Sequence, residues 1–531
     1  MKNITIKKSA LLVFPALLLT AILILAGVSC NRLDLKPLDK VTPSNYYITP
    51  SDFDGAVFAS YSALQDFWGT STENLSERGE FWAITLATTD DITVNTKADN
   101  SGDQARAKKL DLLNIESSDI PFGAIYTQVY KGILRANLVI ENTENGKNSL
   151  TADQKKQFVA EAKFLRAFNH FLALQMWGTP PIATKVATNI NALALPNSTQ
   201  ADLYKAILDD LKDAFAGLPA VWDASNTGRA TKWTARAFEG KVDVWKKDWP
   251  AAIAVFEDVR ANSGYGLMNG NAAKKDNFED VFDYKKENEK ESIFEIQYGG
   301  PQSDDNLWVF DDTHSEAFKA SQGTARVWYW DAPNGAGAPG GHMGWYSPTQ
   351  SLVDEFEPGD PRLAVSIYKA GDTYYTNGVT DGVPYDAGWS STGYMIRKYG
   401  GVRNAASANY APNGQAGFNN ERYFRYADLL LLYAEALIQS GRIPDGMAVI
   451  NNEVRARVGL GASPKAAGME ALMHERRVEL AFEPGRWFDI TRWGIGPTVF
   501  GSKWKEAFNL FPFPQSEITR SNGLLKQNNG Y

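Results

Sequence analysis

The 531-residue sequence holds one cysteine, Cys30, and four histidines, His170, His314, His342 and His474. A lone thiol closes no intrachain disulfide, so a disulfide framework is excluded. Thiolate zinc sites are excluded with it, and four histidines leave little for an imidazole-based metal site. Positive charge is also short. Lys and Arg number 54 against 62 Asp and Glu, a net charge of −8, with a pI near 5.3. Nucleic acid requires a basic surface, so it is not an expected partner. No Gly-x-Ser-x-Gly, His-Glu-x-x-His or phosphate-loop pattern occurs. Hydrophobic residues at 44% and charged ones at 22% are enough for a real core. Aromatics are abundant: 12% of the chain, with 15 Trp and 22 Tyr. In an acidic chain such rings raise the prospect of stacking on sugars, although most will be plain core.

The only long apolar run is at the start. Lys2, Lys7 and Lys8 precede an apolar stretch over 11–28, broken by Pro15 and Thr20. Ala26-Gly27-Val28-Ser29 then leads into Cys30. This looks like a bacterial lipoprotein signal, cut just before a cysteine that receives lipid, with Gly27 where such signals commonly carry leucine. A transmembrane helix needs about 20 apolar residues, and this run is shorter and holds a proline. The expectation is a signal peptide over 1–29 and a mature chain from Cys30, held to a membrane by acyl chains.

Beyond a polar tether over 31–50, helical spacing dominates. Phe53, Val57, Tyr61 and Leu64 share one face, and Phe158, Leu165, Phe168, Leu172 and Met176 share another. Trp177-Gly178-Thr179-Pro180-Pro181 stops that second helix. Residues 231–263 read as a helical pair of tetratricopeptide type, residues 422–458 as another, and 469–482 as a further helix. Each pair bares an apolar face that only a neighbouring pair can cover, so the pairs must stack. The middle differs. Residues 291–298 alternate like a strand, while 299–344 and 373–419 are rich in Gly, Asp, Asn, Tyr and Trp. Long irregular segments in compact domains are usually functional. The predicted fold class is mainly α: tetratricopeptide-like helix pairs form a scaffold over about 50–290 and 420–495. An irregular, loop-rich ligand-binding half over about 291–420 is inserted in one domain spanning 30–531.

Several motifs carry a family resemblance. They are Arg425-Tyr426-Ala427-Asp428-Leu429-Leu430-Leu431-Leu432-Tyr433-Ala434-Glu435-Ala436-Leu437, then Val454-Arg455-Ala456-Arg457-Val458-Gly459-Leu460. Glu475-Arg476-Arg477-Val478-Glu479-Leu480-Ala481-Phe482-Glu483 follows, with Arg486-Trp487-Phe488-Asp489-Ile490 and Arg492-Trp493-Gly494. The chain ends in Pro512-Phe513-Pro514 and Gln527-Asn528-Asn529-Gly530-Tyr531. Together, and with Leu33-Asp34-Leu35-Lys36-Pro37 after the cysteine, they resemble the SusD/RagB family of starch-utilisation-type outer-membrane lipoproteins. The resemblance implies a non-catalytic, surface-exposed lipoprotein that captures a nutrient glycan. Its expected partner is a SusC-like TonB-dependent transporter of the outer membrane. It also implies four tetratricopeptide-type pairs supporting a less regular ligand-binding half. A member that binds peptide or glycoprotein, an exported glycoside hydrolase and a pure repeat scaffold are the rival readings.

The candidate ligand-binding residues come from chemistry. Sugars present apolar C–H faces and polar rims, which flat rings and carboxylates, amides or guanidinium groups match. Trp and Tyr lose little entropy on ordering and keep a polar edge. Trp308, Phe310, Trp328, Tyr329 and Trp330 crowd one loop-like segment, and Trp82 with Asn74, Arg78 and Asp90 forms an N-terminal group. The ligand-binding set is Asn74, Arg78, Trp82, Asp90, Trp308, Trp328, Tyr329 and Trp330. Tyr374, Tyr375, Tyr385 and Trp389 are the next place to look. The paired acids Asp90-Asp91, Asp304-Asp305 and Asp311-Asp312 read as loop acids or hydroxyl acceptors. A glycosidase needs carboxyls about 5–10 Å apart across a bond, which adjacency does not supply. Those loops could give some of the six or more oxygens of a calcium site, but no cofactor is expected. Glu475, Arg476, Arg477 and Glu479 read as a structural ion-pair network. Trp345-Tyr346, Trp233, Trp245, Trp249, Trp487 and Trp493 read as structural.

Overall fold

The computed structural model describes residues 46–68, 81–98, 102–268, 278–298, 326–339, 342–376, 379–400 and 419–531. Its frame is a run of helices in which each packs on the next. These are α1 (Pro50–Trp68), α2 (Ile120–Asn145), α3 (Ala152–Trp177), α4 (Gln200–Gly217), α5 (Lys232–Lys246) and α6 (Trp249–Asn262). After an inserted region come α7 (Tyr426–Gln439), α8 (Ile443–Val449), α9 (Met469–Glu479) and α10 (Arg486–Trp493). The stack runs α1 on α2, α2 on α3 and so on to α6, which packs on α7; α7 then takes α8 and α9. The helix-pair scaffold is therefore continuous across the insertion.

Local chemistry sets the helix ends. Thr151 Oγ1 accepts from the Gln154 N–H, and Gln154 Oε1 accepts from the Thr151 N–H, so a reciprocal cap starts α3. Gly178, at a φ of 73°, ends it where the sequence reading stopped it. The α5–α6 pair turns through Lys247 at a φ of 61° and restarts with Pro250 in the first helical turn. The crossings need small residues. A Cβ on Gly240 would lie 2.5 Å from the Phe256 ring, and one on Gly446 would lie 2.9 Å from the Ala434 carbonyl oxygen.

Among the described residues the strands pair two by two in antiparallel ladders, Ile367–Tyr368 with Met395–Ile396 in one and six further strands in the others. The six are β1 (Ile92–Val94), β2 (Ser292–Ile296), β3 (Tyr346–Pro348), β4 (Thr373–Thr376), β5 (Val379–Pro384) and β6 (Glu421–Arg425). β1 pairs with β3, β2 with β6, and β4 with β5. The second helical pair thus starts later than its spacing suggested: Glu421–Arg425 is strand, and α7 begins at Tyr426. The Tyr426 N–H donates to the Glu291 carbonyl oxygen, and Phe294 faces Phe424 in the ladder. Phe164, Phe168, Phe238, Phe294, Tyr423 and Phe424 form one aromatic core with ring centroids 4.7–6.0 Å apart. That core fastens α3 and α5 to the β2–β6 ladder, each ring pair contributing about 0.5–1.5 kcal/mol beyond its area.

Beside the aromatic core lies a buried charge cluster. Arg362, Lys398, Arg425, Arg455 and Arg457 face Glu291, Asp360, Glu475, Glu479 and Glu483, all nearly sealed from solvent. Glu479 Oε1 accepts from Arg425 Nη1 at 2.7 Å and from Arg457, and its Oε2 accepts from Arg362 Nη1 at 3.0 Å. Glu475 bridges Arg362 at 2.5 Å and Arg455 at 3.0 Å. Lys398 Nζ donates to Glu483 at 2.6 Å and to two carbonyl oxygens closing α9. Burial alone would push the Glu479 carboxyl up, but Arg457, Arg425 and Arg362 outweigh it and hold it well below the usual carboxylate range. The expected structural network is present, and it ties α9 to the insertion and to both ladder strands.

Glu479→Gln leaves three buried guanidinium groups short of one counter-charge, and breaking such a pair costs about 3–5 kcal/mol. Because the folded-state pKa is depressed, this stabilisation is full above the unfolded carboxylate pKa and is lost as pH falls through the lower folded value. Thermal melts at neutral pH should show Glu479→Gln well below the parent. In melts from pH 5 downward the variant should lose stability less steeply. Equal melting temperatures at pH 7 would show that the cluster adds nothing.

Candidate ligand-binding site

The β2–β6 ladder continues into a polar knot at one end. The Tyr298 N–H donates to Asn420 Oδ1 at 2.7 Å, and Asn420 Nδ2 donates to Glu295 and Gln297 at 2.9 and 3.0 Å. From the far end of α1, Gln65 Nε2 reaches the Gln297 carbonyl oxygen at 2.6 Å. Arg326, opening the short helix Arg326–Trp330, pairs with Glu421 and lies 4.2 Å over the Tyr399 ring and 4.8 Å over the Trp330 ring. Residues bordering the segments 299–325 and 401–418 are thus gathered in one place, and α1 reaches the same place just before 69–80.

The described parts of the two aromatic-bearing regions, 81–90 and 326–330, are neighbours. β1 and β3 pair Ile92 with Pro348 and Val94 with Tyr346. The Trp345 N–H donates to the Tyr329 carbonyl oxygen at 2.8 Å, and the Asn95 N–H donates to the Trp345 carbonyl oxygen at 2.7 Å. A small cavity is lined jointly by Thr85 and Leu86 from the helix Phe81–Ala87 and by Arg326 and Trp330, with Phe482 and Pro484 closing it.

Individual residues fare differently. Asn74, Arg78, Trp308 and Phe310 lie outside the described residues, as do Asp304-Asp305, Asp311-Asp312 and Cys30. Trp82 and Trp328 are placed on the helices Phe81–Ala87 and Arg326–Trp330. Tyr329 and Trp330 are packed inside, each 3% exposed, so neither offers a ring to a ligand. Tyr329 packs on Trp345 with centroids 4.6 Å apart, and Trp330 sets its edge against Tyr399 and Phe482. The reason is the small size of the helix they sit on: its buried face needs both rings to hold the β1–β3 ladder and the Arg326 pair in place.

Asp90 is not a free hydroxyl acceptor either. Both its oxygens accept from Arg486 at 2.9 Å, and Arg477 Nη2 lies 2.9 Å from Oδ2. Burial pushes the Asp90 carboxyl up, but Arg486 and Arg477 outweigh it and leave it below its ordinary value. Its neighbour Asp91 accepts from Arg477 Nε at 2.8 Å, and burial leaves its carboxyl raised despite that pairing. This acid pair is a clamp between the β1 region and the helices that follow α8, with no carboxyl left over for acid–base work. Tyr374, Tyr385 and Trp389 also prove internal, forming a small core with Tyr368 and Met395 under the β4–β5 hairpin. Trp345 and Tyr346 are buried as expected. Among the described residues, no group of three or more His, Cys, Asp or Glu side chains is arranged to hold a metal ion. The sequence reading missed the knot of Gln65, Asn420, Arg326 and Glu421. Its one signal was the polar pair Asn419-Asn420.

Comparison with known proteins matches this architecture along its length. A model described as SusD family matches residues 290–509. A model described as starch-binding associating with outer membrane matches residues 56–243. SusD-like protein P2 of Formosa agariphila is 26% identical over 541 residues, covering 96% of this chain and 98% of that protein. A SusD-like protein of Bacteroides ovatus is 24% identical, covering 71% of this chain and 67% of its own. The fold is shared with a laminarin binding SusD-like protein at a TM-score of 0.73 and 23% identity, over 91% of this chain and 100% of that one. Surface glycan-binding protein A from Bacteroides thetaiotaomicron, solved in complex with laminarihexaose, gives a TM-score of 0.71 at 21% identity, over 91% and 100% of the two chains. With both halves of the chain matched and the helix-pair fold shared, the protein belongs to the SusD/RagB family.

Proposed function

We propose that this protein is a non-catalytic, carbohydrate-binding lipoprotein of the outer membrane that holds a nutrient glycan at the cell surface. It passes that glycan to a TonB-dependent transporter. The observation that carries the reading is the match, over 96% of the chain, to a protein named SusD-like. Support comes from the shared fold with a protein titled as laminarin binding and with one solved around laminarihexaose. The gathering of Gln65, Tyr298, Arg326 and Asn420 at one end of the β2–β6 ladder supports a pocket there.

In this reading Trp82, Trp308 and Trp328 stack on pyranose faces, and Asn74 and Arg78 bond hydroxyls. Capture is reversible, because a glycan held too tightly is not released to a transporter. The arginine clamps on Asp90 and Asp91 remove one acid pair from any hydrolytic role. Cys30 carries the lipid, and the transporter contact is large and partly polar.

Three outcomes test this. Alanine at Trp308, Trp328 or Trp82 should weaken glycan binding about 5- to 150-fold, by analogy with base–aromatic stacking of about 1–3 kcal/mol per ring. Melting temperatures should stay within a few degrees, and affinity electrophoresis on a polysaccharide panel gives the readout. Normal binding by all three variants would move the pocket elsewhere. Cys30→Ala should shift the protein from the membrane to the soluble fraction, and an acylated, membrane-bound variant would refute the anchor. Tagged protein from cells grown on the inducing glycan should recover an outer-membrane transporter in mild detergent; its absence would count against hand-over.

A further inference from the structure

A second cleft lies on the helical scaffold, built from residues that the sequence reading assigned to packing. It encloses about 380 Å³, inside the range of about 300–1,000 Å³ found for small-molecule sites. Its walls carry Trp245, Trp249 and Trp493, with Met473, Lys247 and Gln439 among the other lining groups. All three tryptophans are partly exposed, and Lys247 and Gln439 are exposed. Trp487, by contrast, is sealed in the core as predicted.

Two of the rings are held in place by Glu435 and Arg492, which also line the cleft. Trp493 Nε1 donates to Glu435 Oε1 at 2.9 Å. Arg492 lies 4.8 Å over the Trp245 ring and 4.7 Å over the Trp493 ring. That guanidinium is saturated by Glu435 and by Asp489 at 2.7 Å. Rings fixed in this way stack on a ligand with little further loss of entropy.

The polar groups decide what the cleft accepts. Helices α5, α7 and α10 all end at its rim, at Lys247, Gln439 and Trp493. The cap N–H groups that follow α5, α7 and α10 take up carbonyl oxygens of their last turns, so side chains supply the cleft's hydrogen-bonding groups. Lys247 supplies a donor, held by a left-handed backbone at the α5–α6 turn. Gln439 supplies both a donor and an acceptor. Flat rings beside spaced donors and acceptors match a ligand with apolar faces and a hydroxyl edge.

We propose that this cleft is a second saccharide-binding site, stacking a sugar ring on Trp249 and Trp245 and bonding its hydroxyls through Lys247 and Gln439. It rests on the carbohydrate-binding reading but uses none of the residues assigned there. A long glycan could engage both sites, and the second contact would then form at high effective concentration.

The test is calorimetry and affinity electrophoresis on the mature chain, using laminarihexaose, laminarin and a panel of neutral and acidic polysaccharides. Trp249→Ala and Lys247→Ala are compared with the parent and with Trp308→Ala. Circular dichroism confirms that each variant is folded. The expected result is two classes of site for an oligosaccharide in the parent. Trp249→Ala should remove one class, Trp308→Ala should leave that class intact, and Lys247→Ala should weaken it several-fold. Polysaccharide affinity should fall at least 5-fold in Trp249→Ala. One class of site in the parent, unchanged in Trp249→Ala, would overturn the second site while leaving the glycan-binding reading in place. No binding by the parent anywhere on the panel would overturn both. Unchanged sugar binding by Trp249→Ala with loss of transporter recovery would overturn the proposal in favour of a protein-docking cleft.

Discussion

Everything in this structure leans on one carboxylate. Glu479 sits among three guanidinium groups that come from three parts of the chain: Arg362 from the insertion, Arg425 from the last strand and Arg457 from the turn beyond α8. Water is excluded from all four groups. A buried ion short of a counter-charge costs several kcal/mol, so the loss of any one of the four weakens the hold on the others. The cluster therefore acts as a register device. It permits one placement of the insertion against the helix pairs, whatever it adds to net stability.

The need for such a device follows from the architecture. Stacked helix pairs contact mainly their neighbours and slide easily in register. The described residues of the insertion form short two-stranded ladders, which are marginal alone. Two different fasteners join these parts. The aromatic core around Phe238 and Phe294 supplies area and contact energy but little direction. The ion cluster supplies direction, because a bidentate guanidinium fixes angle as well as distance. Asp90 and Asp91 under Arg477 and Arg486 extend the second kind of fastener to the N-terminal ladder.

The helical half was legible in the sequence because its signal is local. Apolar residues three and four apart, a capping threonine and Trp-Gly-Thr-Pro-Pro mark α3 without any knowledge of its neighbours. The structural role of Glu475 and Glu479 was legible for the same reason, since four-residue spacing puts them on one helix face. The strand Glu421–Arg425 was not, because its residues run without a break into the apolar face of α7, and only the distant partner Ser292–Ile296 makes it a strand. The inserted aromatics failed differently. Tyr329, Trp330, Tyr374, Tyr385 and Trp389 lack helical spacing, which suggested open loops, but rings in short irregular elements are the core those elements need. Asp90 looked available because its arginine partners lie hundreds of residues away in sequence.

The converse error bears on function. Helical spacing marked Trp245, Trp249 and Trp493 as core, yet α5, α7 and α10 end together and leave these rings on the wall of a cleft. A second chain of charges runs into the same wall. Lys241 and Arg476 share Asp428, Arg476 and Arg492 share Asp489, and Arg492 pairs with Glu435. The two cations hold the Asp428 carboxyl down to about 2 against the burial that would raise it. Arg492 is paired on both sides, with Asp489 and with Glu435, and is held against the rings it faces. A scaffold held in register by ion pairs thus also presents aromatic surface in a fixed pose. Rings already ordered before a ligand arrives lose little entropy on binding, which is the property the proposed saccharide contact requires.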